Sequence, residues 1–423
     1  MAKRIGRIFW GWYVVLGAFL VLCLSYGVRY SFGVFVHPMF KETGWPMSVI
    51  SISASVNVLV YSVSGIFWGR LADRVAPKWM MTGGSILTAT GFYFLIQAET
   101  PLGLYLSYGV LCGIGHACLG MVVCAAAISK WFIKKRGVAL GLSSMGIGVG
   151  TMVMGPAAGY IVTTYDWRTG FVCFGIVILT VGILVSQVLM GRTTPEASGL
   201  LPDNAPPGEE GQNREIEPGK RADASLRPIL TDCRFWVLVV CNSVATAVLM
   251  MTFVHQVAYA TGNQIGKLEA AAAVGIIGFS SSAGKLFFGW LCDKVADAKY
   301  VAGLGFFIMA LGMGLLIAAD TVLILYLFAV IFGIGYGSMA PLMPYLTADR
   351  FGRQVLGSAY GMLIFFVAGV GGSIGPVVGG AIYDRTGSYT NAWLLNLIVL
   401  VVISILMLTL KPAKDSVPRT QCG

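Results

Sequence analysis

Twelve stretches of this chain are each long and apolar enough to cross a bilayer, and few folds accommodate that pattern. A membrane-spanning helix needs about 20 mainly apolar residues. Such stretches run over about 10–36, 47–69, 79–98, 102–129, 135–162 and 167–190, then 233–258, 268–291, 299–318, 321–347, 354–382 and 389–410. In lipid a backbone has no water to bond, so a span of this length satisfies its own amides as a helix. The expectation is an all-α polytopic membrane protein. Composition agrees: hydrophobic residues make up 57% of the chain and charged residues 11%, against about 25% charged in soluble domains. So few charges cannot cover a water-exposed surface. A soluble enzyme, a disordered protein and a disulfide-stapled secreted domain are excluded. The nine cysteines lie mostly inside apolar runs, with no CxxC or Cys/His ligand spacing. They read as small buried hydrophobes, and no metal or other cofactor is expected. Lys3, Arg4 and Arg7 precede the first apolar run like a signal-peptide opening, but that run is too long and has no small-residue cleavage site. It reads as a retained first span.

One long polar segment, 191–232, divides the spans six and six. It is rich in Pro and Gly, carries EEGQNREIEPGKR, and reads as a solvated linker. The expected layout is a six-helix bundle over 1–190, the linker over 191–232, a second bundle over 233–410 and a tail over 411–423. The two bundles repeat. GRLADR at 69–74 matches GWLCDK at 289–294, and Gly155-Pro156-x-x-Gly159 matches Gly375-Pro376-x-x-Gly379, both at an offset of 220 residues. Two unrelated motifs at one offset indicate a duplication. Pseudo-symmetric six-helix halves of parallel orientation are a transporter architecture.

Charge then gives orientation. With the N-terminus cytoplasmic, 23 of the 29 Lys and Arg residues fall on that side and only Lys41, Arg168, Lys267 and Arg385 on the other. By the positive-inside rule both termini and the linker are cytoplasmic. The net charge of +10 does not indicate nucleic-acid binding, because the basic residues sit in short clusters between apolar spans.

Arg29 and Lys285, which complete the 29, lie inside spans, whereas all 19 acidic residues lie in loops, the linker, the tail or at span edges. A cation at a helix centre costs about 2.5–3.5 kcal/mol, so it should face a water-filled cavity. With no buried carboxylate to pair with, its counter-ion is expected to be the substrate, a small anion. Lys285 lies eight residues before Asp293, roughly 12 Å along the helix, near the middle of a core about 30 Å thick. The alternative is a lysine that snorkels or bonds backbone carbonyls. Ser281, at i−4, shares its face and is a substrate contact or a small packing residue. Arg29 is placed to fork onto a carboxylate, to draw anions into an outer vestibule, or to tie its helix to a carbonyl. His255 is a ligand for the anion, a proton carrier, or a satisfied core histidine. His116, among small residues in GIGHACLG, has the same options, with packing favoured. Tyr336, between glycines, can reach a cavity. His37 sits at an outer edge, and Tyr26 and Tyr30 flank Arg29 at positions where interfacial tyrosines are common.

Gly146-x-x-x-Gly150 and Gly155-x-x-x-Gly159 are expected to permit close helix contact, and Pro156 and Pro376 to bend their helices. No GxxxxGK[ST], HExxH, nucleophile elbow or paired-carboxylate arrangement occurs. ATP-driven transport and enzymatic activity are therefore not expected.

The whole chain resembles the major facilitator superfamily. GRLADRVAPK at 69–78 is similar to its loop signature between spans 2 and 3, with Gly69, Asp73 and Arg74 in place and departures at Ala76 and Pro77. GWLCDKVADAK, with Gly289, Asp293 and Lys294, resembles a weaker second copy. The resemblance implies that this loop locks the cytoplasmic side by charge contacts. Within the superfamily, FWGWYVV at 9–15, YGVRYSFGVF at 26–35, WFIKKRGVALGL at 131–142 and FVHQVAYA at 253–260 resemble bacterial members of the monocarboxylate porter and oxalate/formate antiporter group. That resemblance implies transport of short organic anions, often with a proton. The group's span 8 arginine falls on Lys285, its Asp or Asn four residues earlier on Ser281, a span 4 tyrosine on Met121, and a span 11 lysine of dicarboxylate carriers on Val367.

The reading is a monomeric secondary transporter of a small monocarboxylate in a bacterial inner membrane, working by alternating access with proton symport. Anion exchange without proton coupling is the alternative, and a transporter-like anion sensor a remote one.

Overall fold

The computed structural model describes residues 9–45, 47–192, 194–196, 200–204 and 227–412. Lys3, Arg4 and Arg7, the charged heart of the linker at 209–221, the tail from 413 with Cys422, and the side chains of His37 and Lys267 lie outside the described residues. The described chain is helical throughout its spans, with no strand.

Helices 1 to 12 are numbered after the spans they fill. Helix 1 is Trp10–Tyr30 and, past a step at Ser31, Phe32–Thr43. Helix 2 is Met47–Arg74, helix 3 Pro77–Leu95. Helix 4 runs from Pro101–Leu104 through a π-helical Tyr105–Leu111 to Cys112–Cys118, breaks at Leu119 and Gly120, and resumes as Met121–Trp131. Helices 5 and 6 are Arg136–Thr164 and Trp167–Leu189. Helices 7, 8 and 9 are Cys233–Gly262, Lys267–Lys294 and Ala298–Ile317. Helix 10 is Val322–Gly337 and Met339–Phe351, stepped at Ser338. Helix 11 is Leu356–Ile364, a π-helical Phe365–Gly371, and Gly372–Thr386; helix 12 is Thr390–Leu408.

Eleven of these helices are long and apolar enough to cross a membrane. Helix 3 falls short because Thr82, Ser85, Thr88, Thr90 and its glycines dilute it. Its polar side chains are spent locally: Ser85 and Thr88 donate to the Met81 and Gly84 carbonyls, and the Thr82 and Ser186 hydroxyls are bonded. Large apolar side chains remain exposed around the helices, Phe279 at 74% and Val377 at 70%, as lipid contact requires.

Three acids at span edges are helix caps. Asp166, Asp232 and Asp297 accept from the Thr169, Arg234 and Lys299 amides at the starts of helices 6, 7 and 9, where the helix dipole favours negative charge. The bond from the Thr169 amide holds the Asp166 carboxyl below its usual pKa.

The chain divides into two compact units, Met1–Ser225 with Arg353–Gly361, and Leu226–Gly352 with Met362–Gly423. In the first unit helix 1 packs along helix 5. A Cβ on Gly146 or Gly150 would overlap the Phe19 or Cys23 carbonyl, so these two glycines do permit close approach. A Cβ on Gly155 or Gly159 would meet nothing within 4 Å. The second GxxxG motif therefore does not serve the contact expected of it here. Part of the segment read as solvated linker is also anchored. The Asp203 carboxylate accepts from the Ile133, Lys134 and Lys135 amides at 2.8, 2.6 and 3.3 Å. These amides form the turn entering helix 5, next to an aromatic cluster of Phe9, Trp12, Trp131 and Phe132.

Candidate functional site

Among the described residues each unit holds one cation deep in its spans with no acid or carbonyl bonded to it, and each of these lies over a tyrosine ring. In the second unit Lys285 is 2% exposed, on helix 8. Its ammonium nitrogen is 6.0 Å from the centroid of the Tyr336 ring on helix 10. Among the described residues no carboxylate or carbonyl is bonded to it. The alternative of a lysine tied to backbone carbonyls is therefore not what the structure shows. The local backbone explains the placement. A Cβ on Gly337 would overlap the Ser281 carbonyl, and one on Gly284 the Ile334 carbonyl. Helices 8 and 10 thus meet backbone to backbone, and the residues beside those glycines, Lys285 and Tyr336, flank the crossing. Phe253 of helix 7 sets its ring edge-on to Tyr336 at 6.3 Å.

Ser281 is buried at the same crossing, but its hydroxyl donates to the Gly278 carbonyl at 2.7 Å. It can accept a bond there, while its proton is committed to its own helix. His255 is placed elsewhere in this unit. Its Nε2 lies 2.9 Å from the Pro376 carbonyl oxygen, its ring packs over Gly379, and Tyr389 stands 5.1 Å away. It joins helix 7 to helix 11.

In the first unit the Arg29 guanidinium lies 4.2 Å from the centroid of the Tyr61 ring. No acid or carbonyl is bonded to it among the described residues, so a ring, not a neighbouring carbonyl, holds it. A cation on an aromatic face is worth about 0.5–2 kcal/mol and leaves the guanidinium edge free to donate. The Tyr61 and Tyr26 hydroxyls are bonded at 2.8 Å, and Tyr30 packs edge-on to Tyr26. Gly120, at the break in helix 4, lies against the Tyr61 hydroxyl, where a Cβ would stand 2.8 Å from it. His116 is fully buried near the Phe92 ring, and neither of its ring nitrogens has a hydrogen-bond partner among the described residues. A sealed imidazole without partners is costly.

Gly69 and Asp73 of the loop signature act one turn apart on helix 2. Gly69 lies backbone to backbone against Gly357, and the Asp73 carboxylate accepts from the Gly357 amide, the Ser358 amide and the Ser358 hydroxyl at 2.9, 3.0 and 2.7 Å. It caps the start of helix 11. Arg74 is exposed. In the second copy Gly289 is buried, Asp293 half-buried and Lys294 exposed. An ion pair that the sequence reading missed stands nearby. Arg350 at the end of helix 10 is buried and bonds Asp297 at 2.5 Å, and Asp349. Tyr61 was missed too. The repeat would have found it, since Tyr61 stands 220 residues before Ser281.

Twelve helices in two units, each with an intramembrane cation that has no acid partner among the described residues, are the architecture of a polytopic transport protein. The sequence profile of the Major Facilitator Superfamily matches residues 18–368 and 235–422, and the chain belongs to that superfamily. Mouse monocarboxylate transporter 12 is 28% identical, over 97% of this chain and 90% of its own length. Rat monocarboxylate transporter 13 is 26% identical, over 95% and 89%. Among solved structures, a variant of the E. coli fucose:proton symporter matches with a TM-score of 0.70 at 15% identity, over 95% of this chain and 100% of that one, which supports the fold. The chain is thus a multi-pass membrane transporter related to monocarboxylate transporters.

Proposed function

We propose that the chain is a secondary active transporter of a small monocarboxylate such as lactate or pyruvate, working by alternating access. The observation that carries this is Lys285, whose ammonium is buried at a helix crossing with no acid or carbonyl bonded to it. A desolvated cation of this kind is stabilised by an anion that brings its own charge. Tyr336 stands beside it, Ser281 packs at the same crossing with its proton committed to Gly278, and in the first unit Arg29 on Tyr61 is a further cation available to an anion. The 23-to-4 charge bias supports cytoplasmic termini; a bacterial inner membrane and a monomeric working unit complete the reading. The bonds from Asp73 to Gly357 and Ser358 are the contact that must open in each cycle.

Proton symport is the first reading of the coupling. His116, sealed and unpartnered, is the better proton carrier than His255, whose Nε2 is already engaged with Pro376. One observation favours the second reading, anion exchange: among the described residues no carboxylate accompanies Lys285 or Arg29. The test is uptake of radiolabelled lactate into liposomes holding the purified protein. Uptake stimulated by an inward proton gradient establishes symport, uptake that needs internal anion establishes exchange, and silence rejects the monocarboxylate.

A further inference from the structure

The end of helix 2 carries a face that the transport reading does not use. Gly65, Gly69 and Ala72 are buried on one side of this helix. Phe67, Arg70, Leu71 and Arg74, at i, i+3, i+4 and i+7, form the opposite stripe. Phe67 is 63% exposed, and both arginines are exposed. With Trp68 they line a groove of about 550 Å³. Arg70 and Arg74 are neighbours one turn apart, so their guanidiniums repel unless an anion is shared between them. No acid of the described chain supplies it: neither arginine has an ion pair, and Asp73 between them is spent on Gly357 and Ser358. The apolar half of the stripe, Phe67 and Leu71, lies on the span side of the charges.

We propose that this groove binds an anionic phospholipid, its phosphate held between Arg70 and Arg74 and its acyl chains against Phe67 and Leu71. Charge complementarity selects the headgroup, since guanidinium pairs grip phosphate oxygens in a fork. The exposed Phe67 selects a lipid over a free phosphate ester, because the latter leaves the apolar half uncovered.

The test is native mass spectrometry of the purified full chain titrated with phosphatidylglycerol or phosphatidylcholine. Wild-type protein should retain one tightly held phosphatidylglycerol and no comparable phosphatidylcholine. Arg70→Gln with Arg74→Gln should weaken that retention about twenty-five-fold, roughly fivefold for each cation lost. Lys134→Gln with Lys135→Gln removes the same charge from another exposed pair and should leave it unchanged. Equal retention by the arginine variant, or equal loss in the lysine control, overturns the proposal. So does complete displacement of the lipid by millimolar inorganic phosphate, which would make the groove a free-anion site.

Discussion

Residues 220 apart in the two halves keep the same structural duties and differ in their chemistry. Lys130 ends helix 4 and Arg350 ends helix 10 at that offset. Arg350 is buried and ion-paired to Asp297, the cap of helix 9. Lys130 instead donates to the Ala72 carbonyl at 3.0 Å, because Pro77 stands where its acid would be. Tyr61 and Ser281 share a position, as do His116 and Tyr336. The cations have no such twin: Lys285 falls opposite Gly65 and Arg29 opposite Leu249. Scaffold positions obey the repeat, and the charged site breaks it. A duplicated fold becomes a one-substrate site by placing different groups on equivalent helices.

The comparison breaks most sharply at Lys285. Lys285→Ala should lose about 2–5 kcal/mol of anion binding, enough to abolish uptake, while its thermal unfolding in detergent stays near wild type. Lys285→Arg should restore binding, since the charge and the fork both suit a carboxylate. Full uptake by the alanine variant would move the site to the other half.

The two helix-end cations should separate next. Arg350→Ala leaves Asp297 and Asp349 without their partner and should cost about 3–5 kcal/mol. Lys130→Ala loses one charged hydrogen bond, about 1.5–3 kcal/mol. Thermal melts of the two variants give the ranking; equal losses would mean that the Asp297 pair adds nothing over a carbonyl. Asp203→Ala should cost less again, about 1 kcal/mol of the kind a helix cap supplies. It should make the chain near 203 more open to limited proteolysis.

Much of this fold is legible because lipid imposes a coarse rule: apolar spans must be helices. The twelve spans, the offset of 220 and the isolation of Lys285 and Arg29 all follow from where charge is allowed. What the sequence reading missed depends on contacts between distant residues. Asp203 lies in a segment whose composition reads as solvent, and only folding brings it onto three amides 68 to 70 residues away. Tyr61 is one tyrosine among 17 until Arg29 is seen over its ring. His255 reads as a site residue because intramembrane histidines are rare. Its packing on Gly379, about two helical turns from the end of helix 11, gives it a joining duty between two spans that composition does not reveal.

The finest contrast lies between Tyr61 and Ser281. Both carry a hydroxyl at the same repeat position, yet Tyr61 bonds across to Tyr26 on another helix while Ser281 bonds back onto its own. Tyr61→Phe keeps the ring under Arg29 and removes the hydroxyl's bonds, to Tyr26 and to the Met121 backbone, about 1 kcal/mol each. If Arg29 meets the anion, uptake should show a KM raised about fivefold with little change in kcat. Ser281→Ala removes a bond that the helix does not need and should change KM less than twofold, within the roughly 0.5 kcal/mol of a neutral substitution. The reverse order, a large effect at Ser281 and none at Tyr61, would leave Arg29 a structural cation on its ring.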